Sequence, residues 1–149
     1  MAAIDVIIGE REGDHIRIRV LSRTEQVMRD YWDENWLLAA VSVKAGGWKG
    51  ENDKAFLRTE ELVRFRAKVE LLAEGKLHDA EFAPMEPHLR FVMRIDEGGG
   101  PVSVSGSATD RLEGGNELAF RMAVPFETLP GLAVQLRAVE RVYPTIGKA

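Results

Sequence analysis

The feature that most constrains this chain is a two-residue alternation of apolar and polar side chains, which recurs along much of its length. In one run, Ile16, Ile18 and Val20 form an apolar row, while Arg17 and Arg19 form the opposite row. This period places successive side chains on opposite faces of a β-strand. A strand with one apolar face must pair and bury that face, so the pattern predicts antiparallel sheet.

Further segments show the same alternation or a short apolar run between turn residues. They are residues 4–8, 37–43, 80–83, 89–95, 102–107 and 118–124. The glycine-rich connections at 96–101 and 110–116 favour hairpins, because glycine readily adopts the positive φ that tight turns need. We therefore expect about seven or eight strands, arranged as a largely antiparallel β-sheet or sandwich.

Near 59–74 the period changes to that of a helix. Thr59 is placed to cap the helix N-terminus, and Gly75 is placed to end it. The apolar stripe, which we expect to face the core, consists of Leu62, Phe65, Val69 and Leu72. The cationic side chains off this stripe, which we expect to be solvated, are Arg64, Arg66 and Lys68.

A second helix is predicted near 130–142, with Leu132, Leu136 and Val139 as its apolar stripe. The tail from Thr145 onward is expected to be frayed. Two helices packed on antiparallel strands define an α+β fold. At 149 residues, the chain is expected to form a single domain, 1–149.

Composition narrows the function classes. The net charge is −4, and charges of both signs are spread evenly over the chain, which disfavours nucleic-acid binding because phosphate contacts need clustered Lys and Arg. The N-terminus lacks a signal-peptide pattern, and no apolar run is long enough to span a membrane. Cysteine is absent, which fits a reducing compartment, so a cytoplasmic location is expected.

Catalytic and metal motifs are weak. The serines around Gly106 lack the glycine spacing of a nucleophile elbow and alternate as the solvated face of a strand. The glycine pairs do not open helices, so they do not predict a phosphate-binding loop. The histidines and acids of the 78–88 region lack metal-ligand spacing and are expected to lie on the surface. We predict no enzymatic activity, no metal site and no cofactor.

The stretch DYWDENW at 30–36 concentrates aromatic and acidic residues. Trp36 leads directly into the apolar strand that follows, so it is expected to be part of the core. Tyr31 and Trp32 are expected to pack over it. Trp48, in the glycine-flanked AGGWKGEN, is compatible with either an exposed anchor or a lid over the core.

Three stretches carry a family resemblance: DYWDENWLLAAVSVKAGGWKGENDKAFLRTEELVRF, EFAPMEPHLRFVMRIDEGGGPVSVSG and GGNELAFRMAVPFETLPGLAVQLRAVERVYP. Together they resemble the WapI-type immunity proteins over residues 30–144. These are small bacterial proteins regarded as antitoxins of cell-wall-associated or contact-dependent toxins. The resemblance implies a stoichiometric inhibitor that binds and neutralises a cognate toxin. An acidic chain is compatible with a basic toxin.

If the resemblance holds for function, the interface is expected to be exposed and loop-based. The candidate partner-binding residues are Asp30, Asp33, Glu34, Trp48, Lys49 and Glu51. The alternative is a small-ligand or accessory domain with an apolar cavity. Residues expected to line such a cavity are Trp36, Phe65, Phe91 and Phe120.

Overall fold

A computed structural model describes residues 2–24, 34–96, 98–111 and 113–147. Its eight strands form two four-stranded antiparallel sheets, each a simple meander, which confirms the predicted α+β class. The first sheet has the order β1-β2-β3-β4, and the second has the order β5-β6-β7-β8. The strands are β1 Ile4–Gly9, β2 His15–Arg23, β3 Trp36–Ala45, β4 Trp48–Arg58, β5 Asp79–Phe82, β6 Leu89–Ile95, β7 Val102–Thr109 and β8 Glu117–Val124.

The alternating rows become the inner faces of the two sheets. Ile18 lies opposite Val6 on β1 and Val41 on β3, so the apolar row of one strand continues across its neighbours. The buried side chains of both sheets and both helices form one core cluster. Ser103 and Ser105 in the polar row of β7 are exposed, as the alternation predicts, whereas Ser42 in the polar row of β3 is buried.

Strand β4 was not predicted, because its residues do not alternate cleanly. Its inner row contains a polar residue, Asn52, which is nevertheless buried. The register then shifts: Val41 pairs with Asn52, whereas Ala39 pairs with Ala55, so β4 carries one extra residue between these pairs. Such a bulge reverses the phase of the apolar pattern, which hides the strand from a period-2 search.

Helix α1 spans Thr59–Ala73, one residue from the predicted cap position. Arg58, not Thr59, is the N-cap residue, and its backbone N–H donates to Glu61 Oε1 at 2.7 Å. The Thr59 hydroxyl instead contacts the Thr145 hydroxyl at 3.0 Å. Gly75 has φ +76°, the left-handed conformation expected after a helix end. Helix α2 spans Leu129–Val142, close to the predicted range.

Helix α1 packs its apolar stripe on the second sheet. The Phe65 ring lies edge-on to both Phe82 and Phe91, with ring centroids 5.3 Å apart in each pair. Arg66 is not freely solvated as predicted, because its guanidinium binds Glu140 of α2 at 2.9 Å and Glu70 at 2.6 Å. The pair with Glu140 joins the two helices, whereas the pair with Glu70 lies within α1, and the hydrogen bond with Glu140 raises the pKa of Arg66.

The predicted fraying of the tail is wrong for Thr145 and Ile146. The fully buried Asn35 side chain accepts from the Ile146 N–H at 2.8 Å and donates to the Ile146 carbonyl at 3.0 Å. Arg23 also donates to the Pro144 carbonyl at 2.8 Å. The tail is therefore fastened beside the start of β3, because a side-chain amide can satisfy both backbone groups of an extended residue.

Candidate interaction surface

The β3–β4 hairpin closes one end of the first sheet with a tight, hydrogen-bonded turn. Its loop consists of Gly46 and Gly47 alone, with Ala45 paired to Trp48 across the turn. Gly46 has φ +59°, which a two-residue hairpin loop requires and which glycine adopts without a Cβ clash. Its N–H donates to Asp14 Oδ1 at 3.0 Å, so the tip is also anchored to the β1–β2 connection.

Trp48 at this tip is the most exposed large apolar side chain among the described residues, at 72%. Trp48 is therefore exposed and does not form a lid over the core. Lys49 and Glu51 follow on the opposite face of β4, both exposed, with Lys49 Nζ 3.6 Å from Glu51 Oε1. Three of the six predicted interface residues therefore lie together on one hairpin. An exposed indole on a rigid support is a frequent hot spot for protein binding.

The other predicted interface residues do not join this group. Glu34 is half-buried just before β3, and its carbonyl accepts a hydrogen bond from Arg23. The ten-residue strand β3 separates Glu34 from the hairpin tip, a distance of roughly 30 Å at the usual rise per strand residue. Asp30 and Asp33 lie outside the described residues, as do the aromatics Tyr31 and Trp32.

Trp36 is half-buried rather than part of the core proper. The Arg58 guanidinium carbon lies 5.9 Å from the centre of its ring, within the range of a cation–π contact. Arg58 itself is buried and forms an ion pair with Glu60. Trp36 therefore covers a buried charged pair at the start of α1, a role that the strand pattern alone does not indicate.

A buried polar cluster beside the free edge of β4 was missed by sequence reasoning. His88, predicted to lie on the surface, is only 4% exposed, because the 84–88 segment places it against β4. Asn52 Nδ2 contacts His88 Nδ1 and donates to the Thr109 carbonyl, both at 3.0 Å. The cluster lines a cleft of about 560 Å³ together with Phe56 and the start of the β7–β8 loop. Burial of Asn and His depends on tertiary contacts, so no local signal marked it.

The partners of Asn52 determine the protonation of His88. Asn52 Oδ1 accepts from the Lys54 N–H at 2.9 Å, which leaves Nδ2 as the atom that faces the imidazole. Since Nδ2 can only donate, His88 Nδ1 must accept, and the ring proton lies on Nε2. Burial lowers the pKa of His88 and outweighs the opposite effect of Glu86. The neutral imidazole is therefore the form that fits this site.

We expect this histidine to make the protein less stable in mild acid. Below the usual histidine pKa of about 6.5, His88 binds a proton in the unfolded chain but stays neutral in the folded protein. The free energy of unfolding therefore falls as pH falls. One such site contributes a slope of up to about 1.4 kcal/mol per pH unit, which ends at the lowered pKa of the folded state. Above pH 6.5 this contribution is constant.

The measurement is urea denaturation between pH 4.5 and 7.5, values chosen to bracket the usual pKa by about 1–2 units. His88→Gln keeps an acceptor for Asn52 and should flatten the profile relative to wild type. His78→Gln, which removes an exposed imidazole at the start of β5, is the matched control. Identical slopes for wild type and His88→Gln would contradict the expectation.

Residues 6–144 match the model of the immunity protein WapI-like family. The chain belongs to this WapI-like family. The match begins in β1 and ends after α2, so it covers both sheets and both helices and extends further than the 30–144 resemblance. No curated protein is similar enough to this WapI-like chain to count as a relative.

Within residues 2–24, 34–96, 98–111 and 113–147, no group of three or more His, Asp or Glu side chains is arranged to hold a metal ion. In the same part of the chain, neither helix is long and apolar enough to cross a membrane.

Proposed function

We propose that this WapI-like chain is a non-enzymatic immunity protein that binds a cognate toxin and neutralises it stoichiometrically. The main support is that a chain of this family exposes Trp48, Lys49 and Glu51 at the tip of an ordered hairpin. An inhibitor gains affinity from a surface that is already ordered before binding, because less conformational entropy is lost. The proposal includes a cytoplasmic location in a bacterial cell, where such a protein would protect its producer.

The side chains of the β3–β4 hairpin support a role for this hairpin in the toxin interface. Trp48 offers a large amphipathic side chain that a pocket on the toxin could desolvate. The flanking Lys49 and Glu51 keep the edge strand charged, which discourages pairing with another sheet while leaving polar groups for a wet rim. The candidates Asp30, Asp33 and Glu34 stay a prediction for a second part of the interface; of these, Glu34 precedes β3 at the end opposite the hairpin tip.

The small-ligand alternative has less support. Of the four aromatics expected to line an apolar cavity, Phe65, Phe91 and Phe120 are buried in the core. Phe65 and Phe91 contact each other directly, so the space between helix and sheet is occupied by their own rings. These rings are therefore not available to line the apolar cavity that the small-ligand alternative requires.

The test is co-expression of this protein with the C-terminal domain of a large toxin encoded beside it. We expect a one-to-one complex on gel filtration and rescue of cell growth. Trp48→Ala should weaken the complex by about 2 kcal/mol, roughly thirtyfold, which is typical of a hot-spot residue. Val134→Ala is the matched control, since Val134 is also highly exposed but lies on α2.

The possible outcomes separate the parts of the proposal. No complex and no growth rescue with the adjacent toxin would contradict the immunity function. Rescue with equal affinity for wild type and Trp48→Ala would keep that function and remove the hairpin tip from the interface.

A further inference from the structure

The outer face of the first sheet brings together cations that are distant in the sequence. Arg17 on β2 lies between Ile7 on β1 and Ser42 on β3, and Ser42 lies opposite Glu51 on β4. Ile7 and Ser42 are 7% and 6% exposed, although they face outward. The apolar stems of neighbouring long side chains therefore cover Ile7 and Ser42.

The next row contains a direct juxtaposition of like charges. Lys44 pairs with Lys49 on β4 and with His15 on β2. Like charges at opposed positions of an antiparallel pair are destabilising. Each lysine has one carboxylate at the long end of the ion-pair range, with Lys44 Nζ 3.9 Å from Asp14 and Lys49 Nζ 3.6 Å from Glu51. Exposed ion pairs of this kind contribute little, so an incoming anion could replace them.

Arg17 is the central unsatisfied cation of this face. Its Nε is buried, and within the described part of the chain that atom has no hydrogen-bond partner. Its neighbour Arg19 differs, since it binds Asp5 at 2.7 Å and thereby lowers the pKa of that carboxyl. Because Nε is buried, an incoming carboxylate must approach the terminal guanidinium nitrogens, which can bind both of its oxygens through two parallel hydrogen bonds.

These groups surround one concave site. The cleft has a volume of about 290 Å³ and is lined by four cationic side chains, those of Arg11, Arg17, Lys44 and Lys49, and by the carboxylate of Glu51. Arg11 is also paired with Asp5 at 3.4 Å and Lys44 with Asp14 at 3.9 Å, so the cations still exceed the neighbouring carboxylates by one. The whole chain carries a net charge of −4, so this site is opposite in sign to the average surface. The hairpin residue Trp48 lies on the opposite face of β4 from Lys49 and does not line this cleft.

We propose that this cationic face, defined as Arg11, Arg17, Lys44 and Lys49, docks a carboxylate-bearing surface loop of the toxin, with Arg17 binding one carboxylate through two hydrogen bonds. The inference rests on the proposed immunity function and adds the chemistry of the partner. Asp5, Asp14 and Glu51 border the site, so it suits separate carboxylates of a folded protein better than a continuous run of nucleic-acid phosphates.

The chemistry of the face can be tested without the toxin. An octaglutamate peptide is titrated into the full-length isotope-labelled protein, and backbone amide shifts are followed by NMR. We expect shifts concentrated at residues 15–17, 42–44 and 49–51, which diminish at least fivefold in Arg17→Gln. An eight-nucleotide single-stranded DNA is titrated in parallel. Scattered peptide shifts, or tighter binding of the DNA at the same sites, would overturn the assignment to carboxylates.

Docking itself is tested on the complex with the adjacent toxin domain. We expect Arg17→Glu to raise Kd at least tenfold and to reduce the dependence of the association rate on salt. Arg94→Glu is the matched control, because Arg94 is an exposed arginine on the outer face of the second sheet and should change Kd less than twofold. The amide spectra of both variants report whether the fold is retained.

The outcomes distinguish this inference from the function on which it rests. A wild-type complex that neutralises the toxin, together with unchanged Kd in Arg17→Glu, would overturn docking at this face and leave the immunity function standing. Absence of any toxin complex would overturn both the function and toxin docking. Peptide shifts confined to the face, with weakened binding of toxin by Arg17→Glu, would support the inference.

Discussion

Replacing Phe65 by alanine is expected to cost about 3–5 kcal/mol of unfolding free energy, the usual range for removal of a buried phenyl ring. Phe65 is 1% exposed and lies where α1 meets the second sheet. Its ring contacts both Phe82 and Phe91 edge-on, so truncation removes two aromatic pairs as well as buried apolar area. The rigid strands on which these partners lie limit how far the space can close.

Urea denaturation monitored by circular dichroism gives the required free energies. Leu71→Ala is the matched control, because Leu71 lies on the same helix but is 37% exposed. Both leucine and alanine favour helix, so this change should cost less than about 1 kcal/mol. Comparable losses in the two variants would mean that Phe65 does not anchor the helix to the sheet.

Replacing Gly106 by alanine, which adds one methyl group, is expected to cost about 3 kcal/mol, the upper part of the overpacking range. Gly106 lies on β7 between Phe91 on β6 and Phe120 on β8. A Cβ at this position would lie 2.0 Å from the Arg90 carbonyl oxygen and 2.6 Å from Phe91 Cα. Because these atoms belong to the neighbouring backbone, the clash can be relieved only by moving a strand.

The matched control is the same substitution at Gly131 near the start of α2, where an added Cβ meets nothing within 4 Å. Gly131→Ala should stabilise the protein by up to about 1 kcal/mol, because alanine restricts the unfolded chain and favours helix. The two substitutions are therefore expected to change the free energy of unfolding in opposite directions in the same denaturation experiment. Stability equal to wild type in Gly106→Ala would show that β6 and β7 can separate at little cost.

The local periodicity of apolar residues was sufficient to predict most of the helices and strands. The alternation around Ile18 and the stripe around Phe65 each report which side of an element is apolar, a property set by neighbours along the chain. It failed for β4, where the buried Asn52 and an extra residue interrupt the alternation. A bulge is visible only once the register with β3 is known.

The candidate functional surfaces were harder to predict from the sequence, because they depend on pairing between strands. Sequence reasoning selected Trp48, Lys49 and Glu51, whose exposed character follows from a glycine turn and charged neighbours. It also grouped them with Glu34, which β3 holds at the far end of the sheet. The length of an ordered strand, rather than separation in the sequence, sets that distance.

By itself, the sequence determined that this protein is an α+β chain of antiparallel strands with two helices, because apolar period is a local property of the backbone. Only the tertiary structure decided that Lys44 faces Lys49, that Arg17 lacks a partner for its Nε within the described residues, and that His88 is buried against Asn52. Each of these facts requires two distant segments to meet in one register. That register is set by the packing of the whole core, which no single segment encodes.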